Sequence, residues 1–208
     1  GLGDVYKRQT YHGAPTSISA FLSSPSKTVG IAAIGLLMGG PLFNLTKIGA
    51  ILYVLILLVL FTIIIPNVIG LIQRNLKRLL AYSSVAHAGY MALAFIFPKE
   101  ALPYLGYYLI TYNIAKAISF FIVNQITGEG NVSPYDSLIG TFKSNILLSL
   151  TFGVALFSLA GIPPFAGFMA KFLLFVSVAF AGNLGVYLVL IALIMSAVSV
   201  YYYAYVVR

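Results

Sequence analysis

The sequence contains no cysteine and no tryptophan, and only four of its 208 residues are acidic. Without cysteine the chain cannot form disulfides, thiolate metal sites or cysteine-ligated iron–sulfur clusters. It also has no Asp–Glu pair, no HExxH motif and no nucleotide-binding glycine loop. Catalysis of the kinds found in soluble enzymes therefore has no recognisable motif here, and we expect this chain to bind no cofactor and no metal ion.

Charge of either sign is scarce. Charged residues make up 8% of the chain and hydrophobic residues 61%, whereas a soluble domain is roughly 25% charged. Runs of about 20 apolar residues, the length that crosses a bilayer, recur along the sequence. The net charge of +8 does not indicate nucleic-acid binding, because the basic residues are scattered and mostly lie at the ends of apolar runs. The composition predicts an integral membrane protein.

The apolar runs predict an all-α protein with about seven transmembrane helices. Short connections between the runs favour antiparallel packing of neighbours in a bundle. The expected segments are A (about 16–40), B (47–72), C (78–97), D (101–126), E (143–160), F (165–182) and G (184–207).

The two ends of the chain suggest a fragment. Residues 1–9, "GLGDVYKRQ", are polar and do not have the regions of a signal peptide. The string "DVYKRQ" resembles the in-frame translation of a transposase mosaic-end sequencing adapter, so we interpret residues 1–9 as an artefact, with a genuine polar loop as the alternative. We expect the native part of the sequence to start near Thr10, at a point inside a longer protein. We also expect the native protein to continue beyond Arg208, where the sequence stops at the end of an apolar run.

Two of the apolar segments contain helix-breaking residues. Pro25 interrupts segment A and Pro15 lies immediately before it, and Gly161, Pro163 and Pro164 interrupt the region of segment F. Each proline removes a backbone donor that a helix in lipid needs. In both segments a Gly-x-Pro unit is followed by small and aromatic residues and then by a lysine. This weak internal repeat is typical of inverted-repeat transporters, whose ion sites lie at paired broken helices.

Four ionisable side chains fall inside the predicted spans: Lys27, His87, Lys116 and Lys171. A lysine at this depth costs at least a few kcal/mol unless it is hydrated or paired. Snorkelling to the headgroups is an alternative for Lys27 and Lys171, and His87 can instead be a hydrogen-bonded packing residue. Lys116 lies about ten residues from the nearer end of its segment, or about 15 Å, which is too deep to snorkel.

The native carboxylates do not offer partners for these amines within a span. Glu100, Glu129 and Asp136 all lie in predicted connections. Burial without a counter-charge disfavours the charged form of a lysine, which makes loading and release of a proton accessible. A row of such lysines with a histidine and bridging water is a plausible proton relay. Polar neighbours such as Ser83, Ser84, Tyr112 and Asn113 are expected beside them.

Three stretches carry a specific resemblance: "TYHGAPTSISAFLSSPSK", "LKRLLAYSSVAHAGYMALAF" and "SLAGIPPFAGFMAKFLLF". Over nearly all of residues 10–208 the chain resembles the proton-antiporter-like membrane subunits of respiratory complex I, most closely the N-type subunit of NADH:quinone oxidoreductase. By this resemblance residues 10–208 are part of an antiporter-like domain, the second half of the family's core. Lys27 and Lys171 match the lysines of the first and second broken helices, and Lys116 is similar to a central-helix lysine of Mrp-type antiporters and membrane-bound hydrogenases.

The sequence departs from the family pattern in places. M-type subunits have glutamate where Lys171 stands, which argues against that type. Family members often carry a lysine or histidine midway along the helix matching segment B, and this chain has none there. That leaves His87 and Lys116 as candidates for joining the two half-channels. The helix bearing the family's key membrane glutamate would precede Thr10.

The resemblance implies a non-redox, proton-translocating subunit of an NADH:quinone oxidoreductase. Quinone, NADH, flavin and iron–sulfur clusters would then belong to partner subunits. The partners would be other membrane subunits and the lipid of a prokaryotic plasma membrane, with no nucleic acid. A subunit of an Mrp-type Na⁺/H⁺ antiporter and a subunit of a membrane-bound hydrogenase are the alternatives.

Overall fold

The computed structural model describes residues 25–44, 48–127 and 145–207, and these residues are almost entirely helical. Seven helices occur in them, in agreement with the predicted all-α class. In chain order they are α1 (Pro25–Gly39), α2 (Gly49–Leu71), α3 (Leu76–Ile96), α4 (Pro98–Thr127), α5 (Ile146–Ala160), α6 (Ala166–Phe180) and α7 (Asn183–Val207). The predicted break at Pro15, the interpretation of residues 1–9 and most of the 127–142 loop lie outside the described residues.

Four of these helices, α2, α3, α4 and α7, are long and apolar enough to cross a membrane. Helices α1, α5 and α6 have 15 residues each, or about 22 Å of helix, against a hydrocarbon core of about 30 Å. Segments E and F, which the sequence predicted as two spans, are thus two short helices on either side of a break. Both α5 and α6 pack against the long helices α4 and α7.

A long helix that is much less apolar than α2 or α7 lies in the centre of the bundle. Helix α3 is buried at most of its positions and packs against α1, α2, α4 and α6. Helix α2 is the most apolar, yet it exposes large side chains such as Tyr53, Phe61 and Val68. This inside-out distribution is expected in a bilayer, where lipid covers apolar faces and polar groups turn inward. Gly89 permits close approach, since a Cβ there would lie 2.8 Å from Ile63 Cγ1 of α2.

The predicted break between α5 and α6 is present. Helix α5 ends at Ala160 and is capped by Gly161, which has a φ of 81° and donates its N–H to the carbonyl of Phe157 at 3.0 Å. The Pro163–Pro164 peptide bond that follows is cis. Helix α6 then begins beside the end of α5, because the N–H of Gly167 donates to Ser158 Oγ at 3.1 Å. The last turn of α5 and the first turn of α6 are therefore held together. At Pro25 the described residues start with the first turn of α1.

Candidate functional site

A polar stripe on α3 organises the buried amines. Ser83, His87 and Tyr90 are spaced i, i+4 and i+7, which puts them on one face of the helix. Ser84 lies beside Ser83, and all four residues are in the part of α3 that faces other helices. The stripe covers about 10 Å along the helix axis. Each of its members contacts an ionisable side chain or is one.

Two lysines from different helices meet at the start of this stripe. The amine of Lys27 on α1 donates to Ser84 Oγ at 2.6 Å. The amine of Lys116 on α4 donates to Ser83 Oγ, whose own hydroxyl donates to the carbonyl of Leu80 at 2.8 Å. Lys116 is fully buried, and Lys27 is partly exposed. A fully buried amine cannot be snorkelling, in agreement with the depth argument for Lys116.

Because Ser83 and Ser84 are adjacent, the amines of Lys27 and Lys116 that they accept from lie near each other. Two like charges repel, so a proton added to one amine disfavours a proton on its neighbour. A pair of this kind holds one positive charge more readily than two. Movement of a proton between the two amines would therefore be coupled to the charge state of both.

Lys171 lies at the break between α5 and α6. Its amine donates to the carbonyl of Ala160 at 2.8 Å and to Ser196 Oγ of α7 at 3.0 Å. It also sits 5.2 Å from the centre of the Tyr90 ring. Ala160 is the last residue of α5, where unpaired carbonyls and the negative end of the helix dipole favour a cation. The break thus supplies the acceptor for the lysine, and at 4% exposure Lys171 does not snorkel.

Gly161 makes room for this lysine. A Cβ at Gly161 would lie 2.9 Å from Lys171 Cδ, and the positive φ of 81° would strain any other residue. The glycine therefore serves both the end of α5 and the path of the Lys171 side chain.

On α3, His87 lies between Ser83, which accepts from Lys116, and Tyr90, whose ring contacts Lys171. Its Nδ1 is 3.0 Å from the hydroxyl of Tyr108 on α4, with the tautomer setting which group donates. The His87 ring also lies 5.9 Å, centre to centre, from the ring of Tyr90, which contacts Lys171. A cavity of about 10 Å³ lies beside it and is also lined by Thr111. That volume holds roughly one water molecule.

The helix break contributes to the lining of this cavity. Ser158 and Leu159 from the last turn of α5 and Gly167 from the first turn of α6 line it together with His87. A water molecule here would have the histidine ring, hydroxyl groups and backbone groups as partners. The geometry can connect His87 to the break that holds Lys171.

The hydrogen bonds given above for these amines run to neutral oxygens. Glu100, the one carboxylate in the described ranges, is an exposed residue of the first turn of α4. The serine hydroxyls, the Ala160 carbonyl and the tyrosine rings satisfy an ammonium without fixing it in place as a carboxylate would. Such partners suit amines that gain and lose protons.

The four ionisable groups and several of their neighbours were predictable from the sequence, but a second polar cluster was not predicted. That cluster comprises Asn67 on α2, Tyr90 on α3 and Ser196, Tyr202 and Tyr203 on α7. A signal for it existed in the sequence. Asn67 is a lone amide in a very apolar run, and Ser196, Ser199 and Tyr203 are spaced i, i+3 and i+7 on one face of α7.

Comparisons with known proteins agree with this architecture. A family model described as "NADH:quinone oxidoreductase/Mrp antiporter, TM" matches residues 7–199. Subunit 14 of the NADH-quinone oxidoreductase of Thermus thermophilus is 41% identical over 193 residues, which cover 93% of this chain and 41% of that protein. Subunit N of the enzyme of Cytophaga hutchinsonii is 40% identical over 194 residues, with 93% and 42% covered.

Solved structures show the same fold. A chain of respiratory complex I from Thermus thermophilus with bound aureothin superimposes with a TM-score of 0.78 at 39% identity, covering 93% of this chain and 42% of that one. An archaeal membrane-bound sulfane sulfur reductase gives a TM-score of 0.77 at 24% identity, which shows a shared fold alone. The chain spans about two fifths of the length of these relatives. It is an integral membrane protein and belongs to the NADH:quinone oxidoreductase/Mrp antiporter transmembrane family.

Proposed function

We propose that this chain is part of a proton-translocating membrane subunit of an NADH:quinone oxidoreductase, or of an oxidoreductase with a related electron donor. The observation that carries the proposal is the row of three amines along α3, two of them buried, which donate to neutral oxygens and one of which lies at a helix break. Amines in such a setting can exchange protons, and a chain of them forms a path through the bilayer. The identity of the relatives as subunits of that enzyme supports the same conclusion.

In this proposal each residue has a role in moving a proton. Lys27 exchanges a proton with a carboxylate of a partner subunit, His87 and Lys116 pass it on, and Lys171 releases it. Each amine alternates between its ammonium and neutral forms, and His87 accepts a proton at one ring nitrogen and gives one up at the other. The serine and tyrosine hydroxyls beside these groups, together with water near His87, bridge the gaps.

The electron-transfer chemistry belongs to other subunits of the complex. This chain contributes no catalytic redox site, and NADH, flavin, iron–sulfur clusters and quinone are held by its partners. Those partners include further membrane subunits, and the complex lies in a prokaryotic plasma membrane. Quinone reduction in the partners changes protonation along the membrane arm, and the buried amines convert that change into proton transport.

The test is substitution of Lys171 within the intact complex. Lys171→Ala should remove most proton pumping into reconstituted vesicles while the complex still assembles. Lys171→Arg should fail as well, because arginine keeps its proton at any accessible pH. Lys99→Ala is the matched control, since Lys99 is an exposed lysine at the start of α4. Pumping at the wild-type level by Lys171→Arg would reduce this lysine to a structural residue.

A second candidate is a subunit of an Mrp-type Na⁺/H⁺ antiporter. The observation that favours it is Lys116, a fully buried lysine that is similar to the central-helix lysine of that group. Transport that requires Na⁺ and proceeds without NADH or quinone would favour the antiporter. Pumping that depends on NADH oxidation and is unaffected by Na⁺ would exclude it.

A further inference from the structure

Three helices are joined at one buried amide, that of Asn67 on α2. Its side chain is fully buried. Its nitrogen donates to the carbonyl of Ile63 at 2.7 Å and to the hydroxyl of Tyr90 on α3 at 2.9 Å. Its oxygen accepts from the hydroxyl of Tyr202 on α7 at 3.1 Å. Both ends of the amide are therefore satisfied, and α2, α3 and α7 are connected through it.

The direction of these hydrogen bonds is fixed by chemistry. The carbonyl of Ile63 can only accept, so the atom of Asn67 that contacts it must be the nitrogen, which donates. The other end of Asn67 is then an oxygen, which accepts from Tyr202. The hydroxyl oxygen of Tyr90 accepts from the Asn67 nitrogen, so the hydroxyl hydrogen of Tyr90 is directed away from that nitrogen. The amide therefore holds both tyrosines in one orientation.

The Tyr90 ring held in this way faces Lys171. The lysine amine lies 5.2 Å from the ring centre, within the roughly 6 Å over which a ring face attracts a cation. Tyr90 is itself fully buried. Helix α7 thus reaches Lys171 twice, directly through Ser196 and indirectly through Tyr202, Asn67 and Tyr90.

We propose that Asn67 is a positioning residue for the proton step at Lys171, and that with Tyr202 it holds the Tyr90 ring against the lysine amine. The ring face stabilises the ammonium form and not the neutral amine. The orientation of the Tyr90 ring therefore affects the relative free energies of the ammonium and neutral forms of Lys171. The proton is gained and lost at Lys171 Nζ, and no covalent bond changes at Asn67. The inference rests on the proposed role of Lys171 in proton transport.

A packing role for Asn67 makes different predictions from a positioning role. The amide sits in the most apolar helix, where a polar group costs free energy unless it is hydrogen-bonded. Leucine is close to asparagine in size and would pack at this position, whereas glutamine is longer and would crowd it. If packing matters, Asn67→Leu should function better than Asn67→Gln. If the amide matters, the order is reversed.

The experiment measures protons pumped per electron transferred by the intact complex in vesicles. Asn67→Leu, which removes all three hydrogen bonds of the amide, and Tyr202→Phe, which removes one of them, should each cause a clear loss in this ratio relative to the wild type, with unchanged amounts of assembled complex. Tyr201→Phe is the matched control, because Tyr201 is the adjacent residue on α7 and is 66% exposed. Asn67→Gln should retain more pumping than Asn67→Leu.

The double variant Asn67→Leu/Tyr202→Phe separates a shared link from two independent defects. If both changes cut one connection to Tyr90, the double variant should pump no worse than either single variant. Additive losses would overturn the inference, as would pumping at the wild-type level by Tyr202→Phe. If the Asn67→Leu complex does not assemble, the Tyr202→Phe variant still tests the inference. It removes a single hydroxyl group and keeps the aromatic ring.

The Lys171→Ala variant keeps the two proposals distinguishable. If Lys171→Ala loses pumping and both Asn67→Leu and Tyr202→Phe keep it, the positioning role is wrong and the proposed function stands. If Lys171→Ala itself pumps like the wild type, the proposed function is wrong and the positioning role falls with it.

Discussion

Ser83 and Ser84, adjacent residues of α3, accept hydrogen bonds from lysines on two different helices. Ser84 accepts from Lys27 of α1 and Ser83 accepts from Lys116 of α4. Adjacent residues on a helix point in directions about 100° apart, so a serine pair on a central helix can serve two neighbours at once. The pair brings together two amines whose mutual repulsion makes their proton loading interdependent.

The first prediction compares the two serines. Ser83→Ala should lower pumping and thermal stability more than Ser84→Ala, because Lys116 is fully buried and Lys27 is partly exposed. A buried cation that loses its acceptor costs about 1–3 kcal/mol or more, while a partly exposed one can turn to water. Proton uptake in vesicles and the thermal denaturation midpoint of the purified complex are the measurements. Equal effects of the two substitutions would contradict the difference in burial.

The second prediction separates function from stability at Lys116. Lys116→Met should abolish most pumping without lowering the denaturation midpoint of the complex. Methionine fills a similar volume without the cost of burying an amine. Ser83 remains satisfied because its hydroxyl donates to the carbonyl of Leu80. A large fall in the midpoint together with normal pumping would show that Lys116 is structural.

The third prediction concerns the glycine at the break. Gly161→Ala should destabilise the complex by about 1–2 kcal/mol through its positive φ, and should also impair pumping by displacing Lys171. Gly182→Ala is the control, since Gly182 has a φ of 125° but open space where the Cβ would go. Pumping assays on both variants, at matched amounts of complex, should show the larger loss for Gly161→Ala. Equal losses would mean that strain alone explains the effect.

The fourth prediction concerns Tyr203, a fully buried residue of α7. Its hydroxyl lies near Ser83 and Tyr202 but makes no hydrogen bond of normal geometry within the described part of the chain. A buried hydroxyl without a partner costs about 1–3 kcal/mol. Tyr203→Phe should therefore leave the denaturation midpoint of the complex unchanged or raise it, whereas Tyr202→Phe should lower it. A lower midpoint for Tyr203→Phe would reveal a partner for the hydroxyl, such as a water molecule.

Much of the fold followed from local properties of the sequence. Every helix in the described ranges lies within a few residues of a predicted segment, because bilayer burial selects apolar runs of a definite length. The break before α6 was also readable, because Pro163 and Pro164 remove donors wherever they stand. The lengths of the helices were less predictable. Helices α1, α5 and α6 are shorter than the four long helices, and the lengths of α5 and α6 depend on where the break ends one helix and starts the next.

By itself, the sequence determined that this protein is a helical membrane protein with a lysine beside a proline break and further ionisable groups in its spans. These are consequences of composition and of backbone chemistry, which act within a few residues. Only the tertiary structure decided which polar groups meet. Lys27 and Ser84 are 57 positions apart, and Tyr202 and Asn67 are 135 apart. Helices that are apolar on nearly every side have little hydrophobic periodicity from which their rotation about the helix axis could be predicted. Contacts with neighbouring helices set that rotation, and with it the partners of each buried side chain.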